Sequence, residues 1–184
     1  VCSSDLYIAD DLDSWLIGPL SILFKLNNGY IRQTQQLRAA LEREMAILAA
    51  RKCTPLDAAE LWRILSSIDK AEDEKTRGEL DKELHTQIAK IADNPMIYSV
   101  LAAADQLTEN IIAGTRDYIM KKNRPEFKVD EQHRLLVEAI INNDEKGAEQ
   151  YMSEHMEIIE KCMDEMQKNS NNKRPANGIV IGGE

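Results

Sequence analysis

The sequence predicts an all-α protein, an antiparallel bundle of six or seven helices. Over most of the chain, apolar residues recur every three to four positions, which is the period of an amphipathic helix. Thr54-Pro55 and Asn94-Pro95 each place a proline directly after a capping side chain, an arrangement typical of helix starts. No segment before the C-terminal tail alternates as a half-buried strand does. The 184 residues are enough for one domain with a substantial core.

The predicted helices follow one another through short connections. A cap at Asp13 or Ser14 predicts a short helix to Phe24, which Asn27-Asn28-Gly29 ends. Further helices are predicted over residues 30–52, from 55 through 68, and over 73–92, 95–120, 129–142 and 144–168. A short strand is predicted at 178–182. We therefore divide the chain into an N-terminal linker with a short helix (1–29), a helical domain (30–168) and a C-terminal tail (169–184).

Composition excludes several classes of protein. The net charge of −9 argues against a duplex DNA-binding surface on this chain, because such surfaces are basic. No apolar run approaches the roughly 20 residues that span a bilayer, and no secretion signal is present, so we expect no membrane association. The three cysteines are scattered and form no CxxC pair, which favours a reducing cytoplasm. The chain starts at Val1, and we expect an N-terminal part to be missing.

All three histidines of the chain fall on predicted buried helix faces. Asp81 and His85 lie four positions apart, within about 40° on one helix face. His133 and His155 each align with apolar residues of two other predicted helices. Because a buried polar group without a partner costs several kcal/mol, these four side chains need partners. One divalent metal ion would serve all of them.

The donor set of one carboxylate and three imidazoles suits zinc, nickel, cobalt, manganese or iron. We predict zinc at Asp81, His85, His133 and His155, with nickel or manganese as alternatives. Four ligands would leave an octahedral ion two open positions for water or an anion. The alternative interpretation is three ordinary histidines, each hydrogen-bonded in or near the core.

Two arginines are candidates for binding a carboxylate. Arg38 lies on the predicted apolar stripe of the first long helix, and Arg116 lies on that of the fourth. A guanidinium stays charged and binds carboxylates in a bidentate way. Arg38 has an alternative partner in Glu42 one turn on, and Arg116 has alternatives in the surface or its acidic neighbours. The stripe that contains Arg38 is predicted to comprise Ile31, Leu37, Leu41, Met45 and Leu48.

Several motifs together resemble the FCD domain, the C-terminal effector domain of FadR-type regulators in the GntR family. The segment from Leu37 to Ala50 is similar to the opening helix of that domain. Asp81-x-x-Leu84-His85 resembles its D-x-x-F-H motif, with leucine where the family usually has phenylalanine. Ala92-Asp93-Asn94-Pro95 resembles its A-x-N-P break, and the segments around His133 and His155 resemble its closing helix pair. The resemblance covers about residues 30 to 165.

The resemblance implies a metal ion at the floor of a central cavity, held by Asp81, His85, His133 and His155. A small carboxylate effector would complete the coordination, and Arg38 and Arg116 match positions that can face the cavity. The family's members form homodimers. They bind DNA through a preceding winged helix-turn-helix domain, which we expect this chain to lack.

Three functions remain open from the sequence. The first is a non-enzymatic, effector-sensing and dimerising domain of a bacterial transcription regulator. The second is a metal-dependent enzyme with a metal-bound water, for which the sequence offers no clear general base. The third is a helical interaction module without metal.

Overall fold

The computed structural model describes residues 19, 22, 30–121 and 129–172 of the chain. Within these ranges it contains α1 (Tyr30–Lys52), α2 (Pro55–Lys70), α3 (Glu74–Ala92), α4 (Pro95–Lys121), α5 (Val129–Ile141) and α6 (Glu145–Asn172). The described residues contain no strand, so the predicted all-α fold is confirmed. Of the short helix predicted before Phe24, only Pro19 and Ile22 are described, and both are helical. The strand predicted at 178–182 lies outside the described residues.

The helices begin at the capping side chains that the sequence predicts. At the start of α2, the Thr54 hydroxyl accepts a hydrogen bond from the Asp57 amide, and the Asp57 carboxylate accepts one from the Thr54 amide. This reciprocal capping box satisfies two amides that have no partner inside the helix. Asp73 caps α3 in the same position. Before α4, Asn94 Oδ1 accepts from the Ile97 amide at 3.2 Å.

The C-terminal end of α1 is tied to two turns between other helices. Asp93 and Asn143 both adopt positive φ angles, 48° and 56°, which short polar residues tolerate better than most. Asn143 Nδ2 donates to the Ala50 carbonyl at 2.6 Å. Lys52 Nζ donates to the Ala92 carbonyl at 2.8 Å. These bonds hold the turns that follow α3 and α5 against the end of α1.

Helix α6 continues four residues past its predicted end at Lys168, to Asn172, the last residue that the structure describes. The sequence offers no glycine or proline in that extension, so nothing in it breaks the helix. A contact with α4 also supports it. Asn169 Nδ2 donates to the Tyr118 hydroxyl at 3.0 Å, and that hydroxyl donates to Glu165 at 3.0 Å.

Helix α1 is the central element of the bundle. It packs against α3, α4, α5 and α6, whereas α2 packs against α3 and α5. None of the described helices is both long and apolar enough to cross a bilayer. The largest fully buried apolar side chains are Met45, Leu61, Ile64, Leu65, Ile68, Leu84, Ile88, Leu136, Ile140 and Met152.

The buried face of α1 differs from the predicted apolar stripe. Met45 is buried as predicted, but Ile31 is exposed, and the three leucines of the stripe are only half-buried. The first half of the helix buries polar side chains instead, and two of them meet partners on neighbouring helices, Arg38 at Asp105 and Glu42 at His85. These buried residues are Thr34, Gln35, Arg38 and Glu42.

Candidate metal centre

The four predicted metal ligands converge between α3, α5 and α6. Asp81 and His85 come from successive turns of α3, His133 from α5 and His155 from α6. One nitrogen from each of the three imidazoles lies within 4.8 Å of the others. The ring centroids are 4.7 Å apart for His133 and His155, and 5.1 Å apart for His85 and His155. Three side chains distant in sequence thus share one small volume.

Asp81 supplies the fourth donor of this cluster. Its Oδ1 lies 3.0 Å from His133 Nε2, and the His133 side chain is only 1% exposed. Two ligands at a right angle on an ion with bonds of about 2.1 Å are themselves about 3.0 Å apart. The spacing of these two atoms therefore fits two adjacent ligands of one ion.

His155 has the properties expected of a metal ligand. It is 4% exposed, and its Nδ1 is buried with no hydrogen-bond partner among the described residues. Burial, together with the nearby His133 and His85, lowers the pKa of His155 well below its ordinary value. A neutral imidazole is the form that binds metals, so the donor chemistry of this residue fits a divalent ion.

Glu42 of α1 joins the cluster, and the sequence analysis did not nominate it. Its side chain is 2% exposed, and its Oε2 contacts His85 Nδ1. Burial raises the pKa of Glu42, but His85 and Arg38 outweigh that effect and lower it to about 2. Burial likewise lowers the pKa of His85, but the Glu42 carboxylate outweighs this and raises it to about 9. The metal-free site therefore contains a buried Glu42–His85 ion pair.

Arg38 is held by three side chains. Its Nη2 donates to Glu42 at 2.7 Å, its Nε to Asp105 at 2.5 Å and its Nη1 to Gln35 at 3.1 Å. The pairing with Glu42 is the alternative that the sequence suggested for this arginine. The structure does not test effector binding by Arg38, which stays a prediction. The backbone of Arg116 is part of α4, but its side chain lies outside the described residues.

A groove of about 290 Å³ opens between α1 and α6, and none of the four candidate ligands lines it. Its lining includes Gln35, which contacts Arg38, and Met156, which follows His155 in the chain. Ala39 and Ala40 add a short apolar wall, and the charged lining consists of Arg43 with Glu157 and Glu160. The groove has the size of a small-molecule site.

Comparison with known proteins supports the resemblance noted in the sequence. A family model described as the FCD domain matches residues 33–158. The chain is 28% identical over 145 residues to the "Uncharacterized HTH-type transcriptional regulator YcbG" of Bacillus subtilis (strain 168), covering 77% of this chain and 58% of that protein. It is 22% identical over 155 residues to the "Putative L-lactate dehydrogenase operon regulatory protein" of Escherichia coli (strain K12), covering 82% and 60%.

A protein of the same name from Shigella flexneri matches equally well. The chain thus spans about three fifths of the length of these relatives. The family match begins in the first turn of α1 and ends within α6, so it includes all four candidate ligands. Because that match covers well over half of the chain, this protein belongs to the FCD domain family.

Proposed function

We propose that this chain is the effector-sensing and dimerising domain of a bacterial GntR/FadR-type transcription regulator. We propose further that it holds a divalent metal ion through Asp81, His85, His133 and His155. The observation that carries the proposal is the convergence of three imidazoles and a carboxylate inside an FCD-family bundle. The relatives named as regulators are longer than the matched segment, so we assign DNA binding to a separate N-terminal domain. We also assign the protein to the cytoplasm.

The charges around the cluster support a divalent ion. Asp81, Glu42 and Asp105 contribute three negative charges, and Arg38 contributes one positive charge. With neutral histidines, this set of side chains carries an excess of two negative charges. In the metal-free site, the protonated His85 offsets one of these charges. A divalent cation would cancel both and leave His85 neutral, which lowers the cost of burying the charges.

The donors also narrow the choice of ion. Imidazole nitrogens with one carboxylate oxygen suit zinc, which we propose, and they also accept nickel or manganese. When bound, the ion would supply a Lewis-acidic point that a carboxylate can coordinate. Asp81 and the three histidines would fix that point on three helices, so its position depends on how the helices pack.

A small carboxylate is the effector class that this arrangement favours. We propose that it reaches the site beside α1, where the groove, Arg43 and the buried Arg38 network lie. A carboxylate that contacts Arg38 would compete with Glu42 and Asp105 for the guanidinium. We propose Arg116 as a second effector contact. By favouring one arrangement of the helices, the effector would shift the spacing of the DNA-binding domains in a homodimer.

Sensing explains the site better than catalysis by a metal-bound water. Such an enzyme needs a general base with a pKa near the working pH. Glu42 is a buried carboxylate beside the cluster, but Arg38 and His85 already donate hydrogen bonds to it, so it is not free to accept a proton from a bound water. Conversion of a small carboxylic acid by the metal-loaded protein would reverse this preference.

The metal is tested by elemental analysis of protein purified without added metal. We expect about one zinc, nickel or manganese ion per chain, and its loss in His155→Ala. Glu157→Ala is the matched control, because Glu157 is exposed on the same helix and should leave the metal content unchanged. Circular dichroism checks that both variants are folded. A metal-free, fully stable wild-type protein would contradict the proposal.

The effector is tested by thermal unfolding with a panel of small mono-, di- and hydroxy-carboxylic acids. A ligand that binds only the folded state raises the unfolding temperature with concentration. We expect the response to disappear when the metal is removed, because the ion is the proposed contact. If none of these acids responds, the sensing proposal is wrong for this class of ligand.

A further inference from the structure

The contact between Glu42 and His85 determines which imidazole nitrogen faces the cluster. Glu42 accepts hydrogen bonds from Arg38 Nη2 and meets His85 through Nδ1. An ionised carboxylate can only accept hydrogen bonds. His85 Nδ1 must therefore carry a proton, so in a neutral His85 the lone pair is on Nε2.

We propose that Glu42 is a positioning residue that keeps the His85 proton on Nδ1 and reserves Nε2 for the metal. The inference rests on the proposed metal site. It assigns a role to a residue that would not touch the ion. Metal-bound histidines commonly donate their second ring N–H to a carboxylate, which orients the ring and strengthens the ligand.

The placement of Glu42 supports a positioning role over direct coordination. The two nitrogens of an imidazole ring direct their bonds away from each other. A carboxylate hydrogen-bonded to Nδ1 thus stands on the side of the ring opposite an ion on Nε2. Glu42 also comes from α1, whereas the four proposed ligands come from α3, α5 and α6.

A chain of charged contacts holds Glu42 in place. Asp105 of α4 binds Arg38 at 2.5 Å, and Arg38 binds Glu42 at 2.7 Å. Both side chains of the second pair are at least nine-tenths buried. Because each partner fixes the next, the Glu42 carboxylate is oriented before any metal arrives. That orientation restricts the rotation of the His85 ring and favours one ligand geometry.

The experiment compares the wild-type protein with Glu42→Ala, Glu42→Gln and Asp105→Asn, each loaded with zinc. Competition with a chelator measures affinity, and long-range proton–nitrogen NMR identifies the protonated ring nitrogen of His85. In the wild type we expect a protonated Nδ1 and a metal-bound Nε2. We expect Glu42→Ala to weaken zinc binding by about 10- to 100-fold and to lose the protected Nδ1–H signal.

The other variants separate positioning from charge. The side-chain amide introduced by Glu42→Gln keeps an acceptor oxygen, so this variant should retain the Nδ1–H signal while its affinity for zinc falls. Asp105→Asn removes a charge from the same network without touching a histidine, and it should retain the signal as well. Circular dichroism verifies folding, and Glu42→Gln provides the test if Glu42→Ala does not fold.

Three results would overturn the inference, and they are distinguishable from one another. Zinc bound to His85 through Nδ1, or equal affinity and equal NMR signals in wild type and Glu42→Ala, would refute the role of Glu42 alone. A wild-type protein that binds no divalent ion would refute the proposed metal site, and this inference with it.

Discussion

Replacing Arg38 by methionine should destabilise the metal-free domain by about 3 kcal/mol. The Arg38 side chain is 9% exposed and lies between Glu42, at 2%, and Asp105, at 31%. Removing one member of a buried ion pair costs about 3–5 kcal/mol, because the other charge is left uncompensated. We expect the lower end of this range, since His85 still pairs with Glu42 and Asp105 still reaches water.

Urea denaturation in the presence of a chelator, followed by circular dichroism, measures the change in free energy of unfolding. The double variant Arg38→Met with Glu42→Gln removes the stranded charge as well. It should therefore lose less stability than the sum of the two single variants, with a coupling of about 1–3 kcal/mol. Arg63→Met is the control, because Arg63 forms ion pairs with Glu60 and Glu83 at the surface. Exposed pairs contribute about 1 kcal/mol or less.

The reasoning would be refuted if Arg38→Met lost no more stability than Arg63→Met. Strict additivity in the double variant would also count against it. In that case, the Arg38–Glu42 contact would contribute nothing specific, and the polar face of α1 would be held by packing alone.

Three further stability predictions and one metal prediction follow from local features. Gly147→Ala should destabilise the domain by about 1 kcal/mol in urea denaturation, because an added Cβ would displace the Asp144 carboxylate, which accepts a hydrogen bond from the Gly147 amide. Thr54→Ala should cost about 1 kcal/mol in the same assay, since it removes the cap of α2. In chelator, the His85–Glu42 pair should stabilise the protein fully between about pH 4.5, the ordinary pKa of the carboxyl group, and about pH 6.5, that of the imidazole. That stability should be lost as the pH rises through the raised His85 pKa of about 9, so the urea midpoint at pH 6 should exceed that at pH 9.5. Metal-loaded protein should release its ion on acidification, measured by dialysis and elemental analysis, because protonated imidazole cannot bind metal.

The helix boundaries were predictable because their signals are local. A capping side chain followed by proline restricts only a few neighbouring dihedral angles, and both Thr54 and Asn94 act as predicted. The end of α6 was predicted four residues early, since polar composition alone does not stop a helix. Proline and glycine are much stronger stop signals, and neither occurs between 169 and 172.

The clustering of the candidate ligands was predictable for a different reason. Three histidines on apolar helix faces are few enough that a shared site is the simplest way to satisfy them. In the structure, the three histidines lie close together, and Asp81 lies beside His133. Metal binding itself is a separate proposition and stays a prediction.

Glu42 was missed because its environment is set by residues far along the chain. Its contact with His85 spans 43 positions, and the Arg38 contact with Asp105 spans 67. The sequence pattern of α1 predicted an apolar buried face. Because this helix packs against four others, its buried polar residues can contact polar side chains of neighbouring helices. One sequence feature could have revealed Glu42: it follows Arg38 by one helical turn, on a face that was expected to be buried.

The unequal attachment of the two ends of α1 has a mechanical consequence. The hydrogen bonds at Ala50 and Lys52 fix its C-terminal end, whereas the ion pairs of Arg32 with Glu160 and Asp164 near the other end are exposed and stabilise little. The 23-residue rod is about 34 Å long, so a tilt of about 5° swings its far tip by about 3 Å. Glu42 lies partway along, and a displacement there is roughly doubled at the tip. If α1 tilted as a rigid body about its C-terminal end, a small displacement near the histidines would grow towards its N-terminal end. Because Arg38 is buried and paired with Asp105, such a tilt would also move that ion pair.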